Sequence, residues 1–407
     1  MGIKRSLRML LCAALLSATT AGAAEIHGRS STQFVWFNNI FNDRNQSEIA
    51  EYLHLNITKI DDAGKFSIYG YGRGSQDLNN GEGLNGRLYY LYGDYRGLFD
   101  KMDIKVGRQF TNIAAGNAII DGGQIDLRNI GPVAFTVLGG RNVIFGLDGE
   151  LSHEGDYVFG VAGNLTGFKH TDLELGYFAK WGAGSDGPVR ETLGGTFKQY
   201  LFNNLKLYAN TRYDLDSEVF SEVLAGVKYF PMAKLVLTGE WYQSYPVFDA
   251  DSIYAVFAVN RYQEGVFRAD YTINDMISVN AGYNRQDYGD DSTADVYQIG
   301  GRIRPIEPLL VNLSYDKRHG YKGSLAGGII DVFYQVTKEL ERAAGFQYDV
   351  YTREDIVTTG DEIARKYWGG AKYQLAKNMS ASIRIQDDVN RRFNDDWQGR
   401  FVFNYDF

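Results

Sequence analysis

The sequence predicts an all-β fold, a transmembrane antiparallel up-and-down barrel of about 20 strands, with 18 or 22 as the neighbouring even counts. Three observations carry that prediction. The first 23 residues have the layout of an export leader, most of the remainder alternates apolar and polar residues at period two, and the chain finishes on an alternating aromatic stretch, WQGRFVFNYDF.

The leader combines Lys4, Arg5 and Arg8 with the apolar run Met9–Leu16 and the small residues Ala21-Gly22-Ala23. That order of charged, apolar and small segments is the pattern of a cleaved secretory signal, which places the mature start near Ala24 or Glu25. Its apolar run is far shorter than the roughly 20 residues of a spanning helix. Cys12, the single cysteine, sits inside the leader. The mature chain, expected as one barrel domain over 24–407, then has no thiol for a disulfide, a thiolate nucleophile, a zinc cluster or c-type haem attachment.

Composition sharpens the class. The chain holds 29 Tyr, 24 Phe and 47 Gly, yet 23% of its residues are charged and its net charge is −8. No later segment is apolar for long enough to form a spanning helix. A barrel in lipid reconciles these facts, because only alternate residues must be apolar while their neighbours line a wet interior. The negative balance argues against nucleic-acid binding.

The alternation is clearest in the second half. Ile277, Val279, Ala281 and Tyr283 alternate with Ser278, Asn280 and Asn284, and Tyr297, Ile299, Gly301 and Ile303 with Gln298, Arg302 and Arg304. Met379, Ala381, Ile383 and Ile385 repeat the pattern against Ser380, Ser382, Arg384 and Gln386. Short turns such as Asp61–Gly64, Phe202–Asn204 and Ala376–Asn378 take turns with longer acidic links such as Gln76–Gly86, Asp287–Thr293 and Asp387–Asp396, the asymmetry of periplasmic turns and extracellular loops. All six prolines fall in links or at their edges, as strands that need every amide donor require. Counted backward from Phe407, twelve strands reach about Leu205, two more cover Asp172–Leu201, and about six precede them. Residues 111–155 are the ambiguous stretch: one long loop, or a loop with a hairpin such as Val133–Gly139 and Asn142–Leu147.

The ending, with Phe403, Tyr405 and Phe407 on one face, resembles the assembly signal of Gram-negative outer-membrane β-barrels. Over its length the chain resembles a porin-type barrel, and KVGRQ at Lys105–Gln109 is similar to short pieces of general porins and alginate-export-type channels. The resemblance implies residence in the outer membrane among lipid and lipopolysaccharide. It also implies recognition of the last strand by the barrel-assembly machinery, and closure of that strand on the first. It further implies an internal loop after the fifth strand, which is where residues 111–155 fall.

Candidate site residues follow from the alternation. A barrel of this width encloses a water-filled lumen unless something fills it. Asp121, Asp126 and Arg128, with Gly116, Gly122, Gly123 and Gly131, make the segment after KVGRQ the candidate constriction, and Arg268, Asp270, Arg302 and Arg304 are candidate pore-lining residues. Strict alternation with Ile104 and Val106 turns Arg108 toward lipid, so a lumenal Arg108 calls for a bulge near Gly107. Inward positions carry both signs of charge, which fits wall salt bridges better than an ion-selective ring.

No enzyme is expected. The five histidines form no His-Glu-x-x-His pair, no Gly-x-Ser-x-Gly elbow is present, and His319 beside Asp316 is only a local neighbour. Acidic pairs such as Asp249/Asp251 and Asp290/Asp291 match no metal loop, and neither metal nor cofactor is expected. The expected function is passive diffusion of small hydrophilic solutes or ions with weak cation preference. The alternative is a sheath around a partner such as a multihaem cytochrome, which needs a lumen left open for its guest.

Overall fold

The computed structural model describes residues 24–39, 44–79, 83–146, 150, 156–165, 168–247, 260–352 and 361–407. The expected leader, residues 1–23, lies outside the described residues, as do Asp249 and Asp251.

The described residues form 22 strands in sequence order. The first eight are β1 (Glu25–Asn39), β2 (Arg44–Thr58), β3 (Phe66–Asp77), β4 (Asn85–Leu98), β5 (Met102–Ile113), β6 (Gly116–Ile130), β7 (Val133–Asn142) and β8 (Tyr157–Leu165). Then come β9 (Thr171–Trp181), β10 (Arg190–Leu201), β11 (Leu205–Asp214), β12 (Val219–Met232), β13 (Leu235–Ser244), β14 (Tyr262–Asn274) and β15 (Ile277–Asp287). The last seven are β16 (Thr293–Ile306), β17 (Leu309–Gly320), β18 (Ser324–Gln335), β19 (Leu340–Thr352), β20 (Glu362–Ala376), β21 (Met379–Val389) and β22 (Trp397–Asp406). Each pairs antiparallel with its neighbours in the chain, and β1 also pairs with β22, so the sheet closes on itself. Among the described residues no helix is long and apolar enough to cross a membrane.

The count corrects the expected 20. Twelve strands from β11 to β22 and two at β9 and β10 stand where the alternation placed them, but eight strands, not six, precede Thr171. The missed strands lie in 111–155. Here β6 carries Ala118, Ile119 and Ile120 in succession, and β7 carries Val137 and Leu138, so apolar residues occupy both faces and the period-two signal is lost. Val133–Asn142 is one strand between β6 and β8, not half of a separate hairpin.

Elsewhere the pleat sorts side chains as alternation requires. Phe401 and Phe403 on β22 face outward in register with Phe34 and Thr32 on β1, while Asp406 meets Arg29 across the closing seam at 2.6 Å on the inner face. Gly28 N donates to Phe407 O at 2.9 Å and Phe407 N to Gly28 O at 3.0 Å. The Phe407 ring lies over Gly28, where a Cβ would overlap it. Pro231 and Pro305 fall within β12 and β16 beside register shifts, where a missing donor breaks no ladder bond. Glu51 departs from the apolar outer face, and the Ser30 and Thr32 hydroxyls donate to its carboxylate at 2.5 and 2.6 Å.

Candidate functional site

The lumen is shaped by the β5–β6 hairpin, which leaves the wall. β4 pairs with β5 only as far as Leu91↔Arg108, and β6 pairs with β7 only as far as Ile120↔Asn142, whereas β5 and β6 stay paired to Ile113↔Gly116. Residues 109–119 therefore project as a two-stranded arm with no strand on either flank. Its tip, Ala114-Ala115, rests on strands four and five places further round the sheet: a Cβ on Gly194 of β10 would overlap the backbone of Ala114 and Ala115, and Arg212 Nε of β11 donates to Ala114 O at 3.3 Å. Gly194 and Arg212 are paired on the inner face, opposite to the exposed Leu193, so the arm reaches β10 and β11 across the inside of the barrel.

Glycines permit the bend. Gly107, Gly122 and Gly140 stand opposite one another on β5, β6 and β7. Gly107 has φ +127°, a conformation that side-chain-bearing residues rarely adopt, and a Cβ on Gly122 would overlap Gly139 and Gly140. Three strands thus share one crease. Arg108 keeps the face of Val106, the register through Gly107 is unbroken, and no bulge is present in the β5–β6 pairing.

Below the arm lies a dry seam. Ile113, Ala115, Ala118 and Ile120 from the arm pack with Leu138, Val158, Ala162 and Phe178 from the inner faces of β7, β8 and β9, and all are buried. Gly160, Gly176 and Gly194 leave room for it, since a Cβ on each would press on arm or wall atoms. Apolar residues can face inward here because the arm, not water, covers them. A sector of the wall has become two layers thick.

Above the crease the arm is pinned by charge. Arg108 makes a bidentate pair with Asp121 at 2.7 and 2.8 Å, its side chain is 11% exposed, and it also pairs with Glu150. Arg141 reaches Glu150 at 3.1 Å and Asp121 at 3.8 Å, which completes a set of two cations and two carboxylates. The segment after β7 folds over the flank that the arm vacates, with Arg87 of β4 donating to Gly146 O at 2.6 Å and its guanidinium over the Phe145 ring.

At the tip a pocket of about 260 Å³ opens between the arm and the wall, lined by Asn117, Lys180, Arg190, Thr192, Arg212 and Glu222 among others. Arg212 pairs with Glu222 at 2.9 Å and Arg190 with Asp214 at 3.6 Å, while Ala114 N donates to Glu174 at 2.5 Å. Lys180 has no ion-pair partner among the described residues.

The sequence-derived residues are distributed as follows. Asp121 lies at the crease. Asp126 and Arg128 are on the same strand toward its C-terminal end, where Asp126 accepts from Gln124 and Thr136 and Arg128 pairs with Asp103. Arg268 and Asp270 are on the inner face of β14, and Arg302 and Arg304 line a pocket of about 280 Å³ beside the β14–β15 turn. Asp316 and His319 fall on opposite faces of β17. Among the described residues no cluster of His, Cys, Asp or Glu suits a metal. Lys180, Arg190 and Arg212 were missed as a group, because three strands and an arm meet there from positions far apart in sequence.

Outside the strands, Asp216 on the β11–β12 turn titrates above the usual carboxylate range, first because it is partly desolvated and then because Asp214 and Glu191 repel its charge.

No protein-family model matches the chain, and no curated relative matches it by sequence. Solved structures do match by fold. The P pilus usher PapC translocation pore aligns at TM-score 0.53 and 10% identity, over 93% of this chain and 99% of that one. OccAB2 of Acinetobacter baumannii aligns at TM-score 0.50 and 10% identity, over 94% and 98%. OpdQ of Pseudomonas aeruginosa gives 0.48 and 12%, over 94% and 99%. The likeness is one of fold, a large closed antiparallel β-barrel.

Proposed function

We propose that the protein is an outer-membrane channel for passive diffusion of small hydrophilic solutes or ions, exported through its leader. One observation carries this reading: a closed sheet of 22 strands, wide enough for an aqueous lumen, is narrowed from within by its own β5–β6 arm. The solved structures with the same fold include a translocation pore, which agrees with it. A sheath around a partner protein would need the space that the arm occupies. Both signs of charge line the wall, some of them paired as in Lys366–Asp388 at 3.4 Å and Lys105–Asp126 at 3.6 Å, so ion preference should be weak. The reading is of a conduit.

The test is reconstitution in planar bilayers. Stepwise conductance is expected, and Lys180→Glu at the tip pocket should shift the reversal potential toward cations more than neutralising Asp126 or Arg128 does. Absence of any conductance would overturn the channel reading. The same reading makes Phe403, Tyr405 and Phe407 the element that the assembly machinery recognises, so Phe407→Asp should leave unassembled, protease-sensitive chain in the periplasm.

A further inference from the structure

On the inner wall next to the arm, aromatic side chains form a continuous ladder. Phe145 of the segment above the crease contacts Tyr89 with ring centroids 5.8 Å apart, Tyr89 stacks on Tyr71 at 5.0 Å, and Tyr71 meets Tyr90 at 5.8 Å. Tyr90 meets Tyr92 at 5.8 Å, Tyr92 stacks on Tyr69 at 5.3 Å, and Tyr52 flanks Tyr71 at 6.3 Å. Register places Tyr52, Tyr69, Tyr71, Tyr90 and Tyr92 in the lumen, and a register shift at Tyr71/Gly72 leaves Tyr89 unpaired and turned to the same side, where it stacks on Tyr71. Leu91 and Gly93, between Tyr90, Tyr92 and Asp94 on β4, pair with Arg108 and Val106 on the lipid side, and Tyr71 and Tyr69 stand opposite Tyr90 and Tyr92. Tyr92 is also in register with Gly107, so the lower end of the ladder lies at the height of the crease, where the arm departs.

Two properties separate this bank from wall filler. Its rings are half-buried, so part of each faces the lumen. Its hydroxyls are uncommitted: among the described residues no hydrogen bond is made by the phenols of Tyr52, Tyr69, Tyr71, Tyr89, Tyr90 or Tyr92, whereas Tyr208, also inward, donates to Glu240. Of the charged neighbours, Arg73 beside Tyr52 is paired with Glu48, and Arg87 lies at the upper end over Phe145, so among the described residues the tyrosine rows below it present no unpaired carboxylate or ammonium of their own. A phenol offers an apolar face beside a group that both donates and accepts. The ligand complementary to a row of such groups has flat C–H faces, many hydroxyls and no charge.

We propose that the ladder is a binding track for neutral saccharides, with pyranose faces sliding over the rings while their hydroxyls exchange hydrogen bonds with the tyrosine phenols. The inference rests on the channel reading and narrows it to a solute class. Free solute would be drawn onto one wall of the passage at the level of the crease, which raises its residence there without closing the pore.

Reconstituted protein tests it with maltohexaose as probe and a poly(ethylene glycol) of matched hydrodynamic size as control. The saccharide is expected to block current in a saturable manner and the polymer only in proportion to its concentration. Replacing Tyr71 and Tyr90 together by Leu, which removes faces and hydroxyls at similar bulk, should weaken the block about tenfold, whereas the double Phe variant, which keeps the faces, should lose less. Heat-modifiable migration on a gel verifies that each variant is folded. Quenching of protein fluorescence by maltohexaose in detergent supplies a readout independent of conductance. A conducting protein that maltohexaose blocks no better than the polymer, or equally with and without the rings, overturns the track. A protein that does not conduct overturns the channel instead.

Discussion

Leu138 on β7 and Arg302 on β16 both point into the barrel, yet the first is 1% exposed in an apolar seam and the second lines a polar pocket. From β7 to β9 the inner face carries Leu138, Val158, Ala162 and Phe178 under the arm. From β14 to β22 it carries residues such as Asp270, Arg302, Arg384 and Asp388, open to the lumen. The strands are geometrically alike. What differs is the neighbour on the inside, protein in one sector and water in the other, so polarity on the inner face reports what covers that face and not which way it points.

The largest expected effect comes from removing the cover. Replacing 112–117 by a two-glycine turn should raise single-channel conductance on the order of twofold, because the lumen regains the space of a second layer. It should also lower solubility in mild detergent, because the seam residues become wet. Unchanged conductance would show that the arm does not limit flow and would erase the functional side of the comparison.

Disturbing the seam without deleting it is a smaller perturbation. Phe178→Ala removes a fully buried ring and should cost about 3 kcal/mol of stability, read as an earlier transition in heat-modifiable migration. Gly194→Val, whose side chain would overlap Ala114 and Ala115, should loosen the tip and increase current noise with less effect on the melting temperature. Equal loss of stability from Arg302→Ala in the open sector would contradict the contrast. That substitution should change stability by less than about 0.5 kcal/mol and conductance only slightly.

The smallest effect is at the rim. Burial and the carboxylates of Asp214 and Glu191 raise the Asp216 titration, so the fold favours its protonated form. Stability linked to this group is therefore gained as pH falls through the carboxylate range and lost as pH rises through its raised pKa. Asp216→Asn should melt slightly higher than the parent at neutral pH, with the difference vanishing in acid. A difference that grows in acid would reverse the assignment.

How far the site could be read in advance follows from the same contrast. KVGRQ and the glycines after it marked the departure point, and Asp121 was legible there because a charged residue among glycines is rare in a regular strand. Gly139 and Gly140 carried no such signal alone. Their role exists only in register with Gly122 and Gly123 across the β6–β7 pair. Asp126 and Arg128 were grouped with Asp121 by proximity in sequence, but at about 3.3 Å per residue a strand carries neighbours five to seven positions apart well away from each other.

The sequence by itself determined the class of the fold and most of its strands, because a wall between lipid and water imposes period-two alternation locally, at every residue, whatever the rest of the chain does. It also determined where the sheet closes, through the aromatic face from Trp397 to Phe407. Only the tertiary structure decided the count of 22, the inward course of β5 and β6, and the meeting of Ala114 with Gly194 and Arg212. Those depend on contacts between strands several places apart round the sheet. Where the arm supplies apolar cover, the local rule that inward means polar is suspended, and with it the signal from which sequence is read.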